Sequence, residues 1–230
     1  MSDYLRENHE YWQQGYYAPN VESYVFRMWG HVLKYEFLDV MSRKTRMVDF
    51  GCGQGAALAY FNRLGFDVYG VDISETDIEI CRKSMPDISD HFAIIPSEPR
   101  QDDVWFGGGY DLVTAFQSLY YYDNDDMKKR IESLYNQMKP RAVICATMMG
   151  TKCGYYEHSR PYKNGLRTVA FENSRFSVDN YNVNFIDSKE ELLDIFSPFE
   201  KMHIGYYDSC FREDEGCHFH WTYIGKKGES

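Results

Sequence analysis

Hydrophobic positions along the chain change period several times, and each change marks an element. Val21, Val25, Met28, Val32 and Tyr35 recur at three- and four-residue steps, which predicts a helix from a cap at Asn20 to about Met41. The preceding Tyr11-Trp12-Gln13-Gln14-Gly15-Tyr16-Tyr17 is aromatic but irregular. From residue 47 short apolar runs alternate with amphipathic stretches. Met47–Phe50 reads as a buried strand, Gln54–Leu64 as a helix closed by Gly65, and Phe66–Ile73 as a second strand. Ser74-Glu75-Thr76-Asp77 has the form of a capping box and opens a helix that Pro86 stops. His91–Ile95 and Asp111–Phe116 read as strands three and four. Asp125–Lys139 places Met127, Ile131, Leu134 and Met138 on one helical face, and after Pro140 a fifth strand runs from Ala142 to Met148.

Strand–helix–strand order implies parallel strands joined by right-handed crossovers, an α/β fold. After residue 150 the pattern weakens, and 151–187 is polar, aromatic and poorly periodic. A second capping box, Ser188-Lys189-Glu190-Glu191, opens a helix to about Phe196. Strands near Lys201–Tyr207 and His218–Gly225 flank the short acidic turn Arg212–Gly216, which predicts an antiparallel hairpin at the sheet edge. The chain thus divides into an N-terminal helical segment (1–45), a core (46–150), an insertion after strand five (151–187) and a closing helix and hairpin (188–230).

Composition narrows the partners. The 230 residues carry a formal charge of −10 with no long basic run, which disfavours nucleic acid and anionic membrane surfaces. No signal peptide and no apolar run of transmembrane length is visible, and the six Cys form no CxxC pair, the pattern of free thiols in a cytoplasmic protein. Cys217, His218 and His220 alternate as a strand does rather than as a metal site, so no metal is expected. The 20 Tyr and 15 Phe exceed ordinary usage, and tyrosine suits pockets that are apolar on one side and wet on the other.

The chemistry concentrates in Val48-Asp49-Phe50-Gly51-Cys52-Gly53-Gln54-Gly55. A buried strand delivers an acid, then glycines alternate with other residues, then a helix begins. Glycine lets the backbone turn tightly and lets a ligand approach at the carboxyl end of a strand. A second acid, Asp72, ends strand two 21 residues beyond Gly51, the position from which a Rossmann-like unit binds ribose hydroxyls, and Ile73 follows where it packs on an adenine face. A dinucleotide loop is the competing reading. It prefers G-x-G-x-x-G without a strand acid, whereas this chain has G-x-G-x-G preceded by Asp49.

These residues resemble the class I S-adenosylmethionine-dependent methyltransferases. Residues 48–55 match the family's first motif, Gly70–Ser74 the second strand with its ribose acid, Tyr110–Tyr122 the fourth strand and following loop, and Met138–Ala146 the Pro-led fifth strand. The resemblance covers residues 45–150 well and the last 40 in outline. It implies a Rossmann-like, seven-stranded, mostly parallel sheet with a reversed C-terminal hairpin, flanked by helices. It implies S-adenosylmethionine as cofactor and S-adenosylhomocysteine as product. Asp49, Gly51, Cys52, Gly53, Gln54 and Gly55 would hold the methionine end, Asp72 and Ile73 the adenosine, and Gln117 the loop beside the cofactor. Ser97 or Glu98 stands where many members carry an adenine-binding Asp.

The N-terminal segment, with Trp12, Tyr16, Tyr17 and Arg27, matches the position of the family's lid, and 151–187 that of its acceptor cap. Among Tyr120, Tyr121 and Tyr122, one or two rings are expected to face the ligands, Tyr121 in particular. A hydroxyl acceptor needs a base, for which His158 is the first candidate, with Tyr122 and Glu157 behind it. The implied activity is methyl transfer to oxygen or nitrogen of a small polar molecule. The alternative is a non-catalytic protein that binds the same adenosyl ligand or regulates a partner.

Overall fold

The computed structural model describes residues 3–13, 21–37, 45–170, 181–210 and 216–229, with side chains of the first segment only up to Asn8. Trp12's side chain, Tyr16, Tyr17, the cap at Asn20 and the end of the first expected helix lie outside the described residues.

The elements in chain order are α1 (Asp3–Gln13), α2 (Ser23–Met28), a π-helical turn (Trp29–Leu33), α3 (Lys34–Glu36), β1 (Arg46–Phe50), α4 (Ala56–Arg63), β2 (Asp67–Asp72), α5 (Glu75–Ser84), β3 (Phe92–Ile94), β4 (Tyr110–Ala115), α6 (Asn124–Asn136), β5 (Met138–Met149), α7 (Gly154–Glu157), β6 (Ser159–Pro161), β7 (Leu166–Val169), β8 (Tyr181–Asn184), α8 (Lys189–Ile195), β9 (Glu200–Tyr207) and β10 (His220–Lys226). The expected helix caps form. Ser74 Oγ accepts from Asp77 N, and Ser188 Oγ from Glu191 N.

The main sheet has seven strands in the order β3-β2-β1-β4-β5-β10-β9. β1 pairs in parallel with β2 and β4, β4 with β5, and β2 with β3, whereas β10 runs antiparallel to both β5 and β9. This is the doubly wound sheet with a reversed C-terminal hairpin that the alternating pattern implied.

Strand alternation divides the interior into two cores. Met47, Val68, Leu112, Val143 and Ile224 face α2, α4 and α5 with Tyr24, Leu58, Phe61 and Ile78. Val48, Phe50, Val113, Ile144 and Tyr223 face α6 and α8 with Ile131, Leu134 and Phe196. Residues covered on both faces explain why these strands read as near-continuous apolar runs.

Two boundaries differ from the sequence pattern. The helix after β1 begins at Ala56 rather than Gln54, because Gly53 and Gly55 adopt left-handed backbone angles (φ +50° and +77°). The fifth strand begins at Met138, so Pro140 lies inside it, at the solvent-exposed start where a missing N–H is tolerated. The insertion is more ordered than its weak periodicity suggested. α7 and the antiparallel sheet β6-β7-β8 form within 151–187, and 171–180 lie outside the described residues.

Leu112, in the middle of the sheet, is fully buried. Leu112→Ala is expected to cost about 2–5 kcal/mol, read as a lower urea midpoint at unchanged m-value.

Candidate active site

The carboxyl ends of β1, β2, β3 and β4 open on one cleft of ≈ 240 Å³. Open α/β sheets bind ligands at this edge, because the loops leaving parallel strands diverge there. The order of the strands in the sheet becomes an order along the cleft. Ile95 and Ser97 follow β3, Asp72 and Ile73 end β2, Gly51 to Gln54 leave β1, and Phe116 to Ser118 leave β4.

The loop after β1 is pinned on all sides. Gly51 and Cys52 donate their N–H groups to Val71 O at 2.9 and 3.1 Å. Gly53 N–H donates to the Asp72 carboxylate at 2.8 Å, and the Cys81 thiol donates to Gly53 O at 3.1 Å. At Gly51 the backbone has φ +69°, and a Cβ built there falls 2.4 Å from the Cβ of Ser118. Ser118 in turn donates to Phe50 O at 2.9 Å. The β1 and β4 loops therefore touch at a point with room for hydrogen alone.

Two carboxyl groups sit under this loop. Asp72 also accepts from Ser74 N–H at 2.9 Å. Burial raises its pKa against the opposing effect of these backbone donors. Asp49 is buried beneath the cleft, outside its wall, and accepts from Thr114 Oγ1 at 2.7 Å. Burial, with a smaller push from Asp72, raises it to about 7, while the Thr114 bond opposes the shift.

Of the residues anticipated for the cofactor, Gly51, Cys52, Gly53, Gln54, Asp72, Ile73, Ser97 and Gln117 line the cleft, as do Tyr121 and Tyr122. Asp49 and Gly55 support it from behind, Gly55 as the residue preceding α4. The candidates for base fare differently. Glu157 and His158 are exposed and outside the cleft wall, because α7 turns them outward on the insertion. Tyr122 is in the wall, and burial raises its phenol pKa, which favours the un-ionised form. Arg27 is on the exposed side of α2, away from the wall.

The structure adds residues that the sequence pattern did not single out. Leu5 and Asn8, one turn of α1, reach the cleft. Asn8 bridges Tyr121 O at 3.1 Å and both backbone groups of Asn182, at 3.0 and 2.8 Å, which docks α1 beside the opening. The apolar and amide positions Tyr4, Leu5 and Asn8 share one helical face, and that spacing was the available signal.

A further cluster lies beyond β4, over the ends of β5, β10 and β9. Tyr24, Tyr207 and His220 form a nearly parallel ladder, with centroids 4.6 and 4.9 Å apart and interplanar angles of 16° and 3°. Tyr120 stands 5.8 Å from the His220 ring and 4.6 Å from that of Tyr121. His220 Nδ1 lies 2.9 Å from the His218 carbonyl, which only accepts, so Nδ1 carries the hydrogen and Nε2 the lone pair. Nε2 is buried and has no partner among the described residues. Burial lowers this imidazole to about 4, so it is neutral at physiological pH. Cys217 and His218 precede β10 and His220 opens it, and among the described residues no group of His, Cys, Asp and Glu is placed to hold a metal ion.

The two glycines of the loop separate conformational strain from close contact. At Gly53 an added Cβ meets nothing within 4 Å, so Gly53→Ala is expected to cost only the left-handed backbone penalty, about 1–2 kcal/mol. Gly51→Ala adds the clash with Ser118 and is expected to cost more, in a comparison of urea unfolding free energies. Asp49 gives a pH signature. Because its pKa is raised from 3.8 to about 7 on folding, the folded chain holds a proton that the unfolded chain has released in this window. Its contribution to stability therefore falls as pH rises from about 4 to 7 and is level above. Asp49→Asn is expected to remove that fall in urea titrations of the ligand-free protein.

Residues 21–199 match the family model described as a methyltransferase domain. A search of curated proteins finds no match. Solved structures share the fold at low identity. A protein from Methanosarcina mazei described as a SAM-dependent methyltransferase is 15% identical with a TM-score of 0.67, covering 85% of this chain and 99% of its own. A protein from Pyrococcus horikoshii OT3 is 16% identical with a TM-score of 0.68, covering 95% and 98%. Magnesium protoporphyrin IX methyltransferase from Synechocystis PCC 6803, solved with bound SAM, is 14% identical with a TM-score of 0.60, covering 99% of both chains. The match spans most of the sequence, and this chain belongs to the methyltransferase-domain family, built on the fold of the SAM-dependent enzymes.

Proposed function

We propose that the protein transfers a methyl group from S-adenosylmethionine to an oxygen or nitrogen of a small polar molecule. The observation that carries this reading is the half-buried Asp72 carboxylate in one cleft with the left-handed glycine turn at Gly51 and Gly53. The donor set fits the cofactor along its length. Asp72 accepts from ribose hydroxyls, and Ile73, Ile95 and Ser97 flank the adenine. Gly51, Gly53, Gln54 and Gln117 receive the methionine end, because the strand order puts β1 and β4 on the far side of β2 from β3. When bound, S-adenosylmethionine supplies a methyl group already activated by a sulfonium.

The chain's own task is then to orient the reactants and exclude water. Leu5 and Asn8 of α1 close one side of the cleft, which supports a lid role for the N-terminal segment. The end of β5 and the tyrosine- and histidine-bearing ends of β9 and β10 lie next beyond β4, and we assign the acceptor to this side. The described part of the insertion extends that wall through Tyr181, whose ring lies 6.4 Å from that of Tyr121. A small uncharged or cationic acceptor suits this aromatic surface better than a polyanion, given the net charge of −10. No described helix is long and apolar enough to cross a membrane, and the cysteines form no disulfide with one another among the described residues.

Calorimetric titration of the purified protein with S-adenosylmethionine and S-adenosylhomocysteine tests the reading. Micromolar binding is expected for both, with loss of at least a hundredfold in Asp72→Ala, on the order of 3 kcal/mol for hydrogen bonds to a charged acceptor. Absence of binding to the folded wild-type protein would rule the cofactor assignment out.

A further inference from the structure

Gln117 is the only non-glycine residue of the described cleft wall with a left-handed backbone, at φ +52°. A side chain held in that conformation needs restraint from elsewhere in the fold. Two restraints are present, and both come from strands beyond the cleft. Its N–H donates to Thr147 Oγ1 on β5 at 2.7 Å. Its carboxamide Nε2 donates to the phenol oxygen of Tyr207, at the end of β9, at 2.9 Å. The Thr147 hydroxyl also hydrogen-bonds that phenol, so the three groups form a closed set.

Tyr207 is itself immobilised. Its ring is stacked between Tyr24 and His220 in the ladder described above. Burial raises its phenol, which keeps the group un-ionised and its oxygen available as an acceptor. With Nε2 bonded to Tyr207, the carboxamide oxygen is the side-chain polar atom of Gln117 left for a ligand. An amide oxygen in a cleft suits an N–H donor, above all a charged one.

We propose that Tyr207 is a positioning residue, which orients Gln117 so that its carboxamide oxygen takes a hydrogen bond from the ammonium group of the cofactor's methionine portion. The inference rests on the cofactor assignment made above. Strand order supports it, since Gln117 leaves β4, on the opposite side of β1 from the ribose acid Asp72.

Tyr207→Phe removes the phenol oxygen and keeps the ring in its stack. Thr147→Val removes the acceptor of the Gln117 N–H and keeps the branched shape. Each is titrated calorimetrically with S-adenosylhomocysteine and with 5′-methylthioadenosine, which has the same nucleoside thioether but no amino-acid portion. Tyr207→Phe is expected to weaken S-adenosylhomocysteine binding about tenfold and to leave 5′-methylthioadenosine within about twofold, since a hydrogen bond to a charged group of this size is removed. Thr147→Val should shift the same ligand in the same direction. Melting temperatures close to wild type confirm that each variant is folded. Unchanged S-adenosylhomocysteine affinity in Tyr207→Phe overturns the proposal, and so do equal losses on both ligands, which mark a general distortion of the cleft. Failure of the cofactor assignment reads out separately, as wild-type protein that binds neither ligand or as Asp72→Ala that loses neither.

Discussion

The contact between Gly51 and Ser118 is the constraint on which the rest of the site depends. β1 and β4 are neighbours in the sheet, and their loops leave the same edge side by side. They converge until a methyl group on Gly51 would sit 2.4 Å from Ser118 Cβ. That approach fixes the left-handed turn, which in turn aims the Gly53 N–H at Asp72. An interior packed to crystal-like density transmits this constraint, because none of the elements involved can shift without opening a void or a clash. The cleft is accordingly a consequence of backbone geometry first and of side-chain chemistry second.

The electrostatic character changes along the cleft. Near β1 and β2 there are two carboxyl groups, both with raised pKa values because burial penalises their charged forms. Each ionises more readily when a cationic ligand enters, so ligand charge and protein charge are coupled there. Beyond β4 the surface is phenol, amide, hydroxyl and a neutral imidazole. An arrangement of neutral dipoles imposes no net field there. It is also easily desolvated, which matters for a displacement that water would otherwise intercept.

The far half of the sheet contributes by reach rather than by position in the chain. Tyr207 contacts a residue 90 positions earlier, and Asn8 contacts one 174 positions later. The first bond ties the loop after β4 to the reversed hairpin, and the second ties α1 to the insertion. The C-terminal strands thus complete the site as well as the sheet.

The sequence alone determined the α/β class, the glycine turn, the acid Asp72 at the end of the second strand and the reversed hairpin. These follow from local rules: period-two and period-3.6 patterning, glycine at left-handed positions, and capping boxes whose bonds close within four residues. It also marked Ser97, Gln117 and Tyr121, because each follows a legible strand end. Tertiary structure alone decided where the histidines fall relative to the cleft. The sequence put His158 first as a candidate base and read His220 only as part of a strand; α7 leaves His158 exposed to solvent, while antiparallel pairing of β10 with β5 buries His220 beyond the cleft. It likewise decided that Asp49 supports the loop from below, that Leu5 and Asn8 close the cleft, and that Tyr207 holds Gln117. These are contacts between distant segments, set by packing and by pairing register, and no local pattern encodes them.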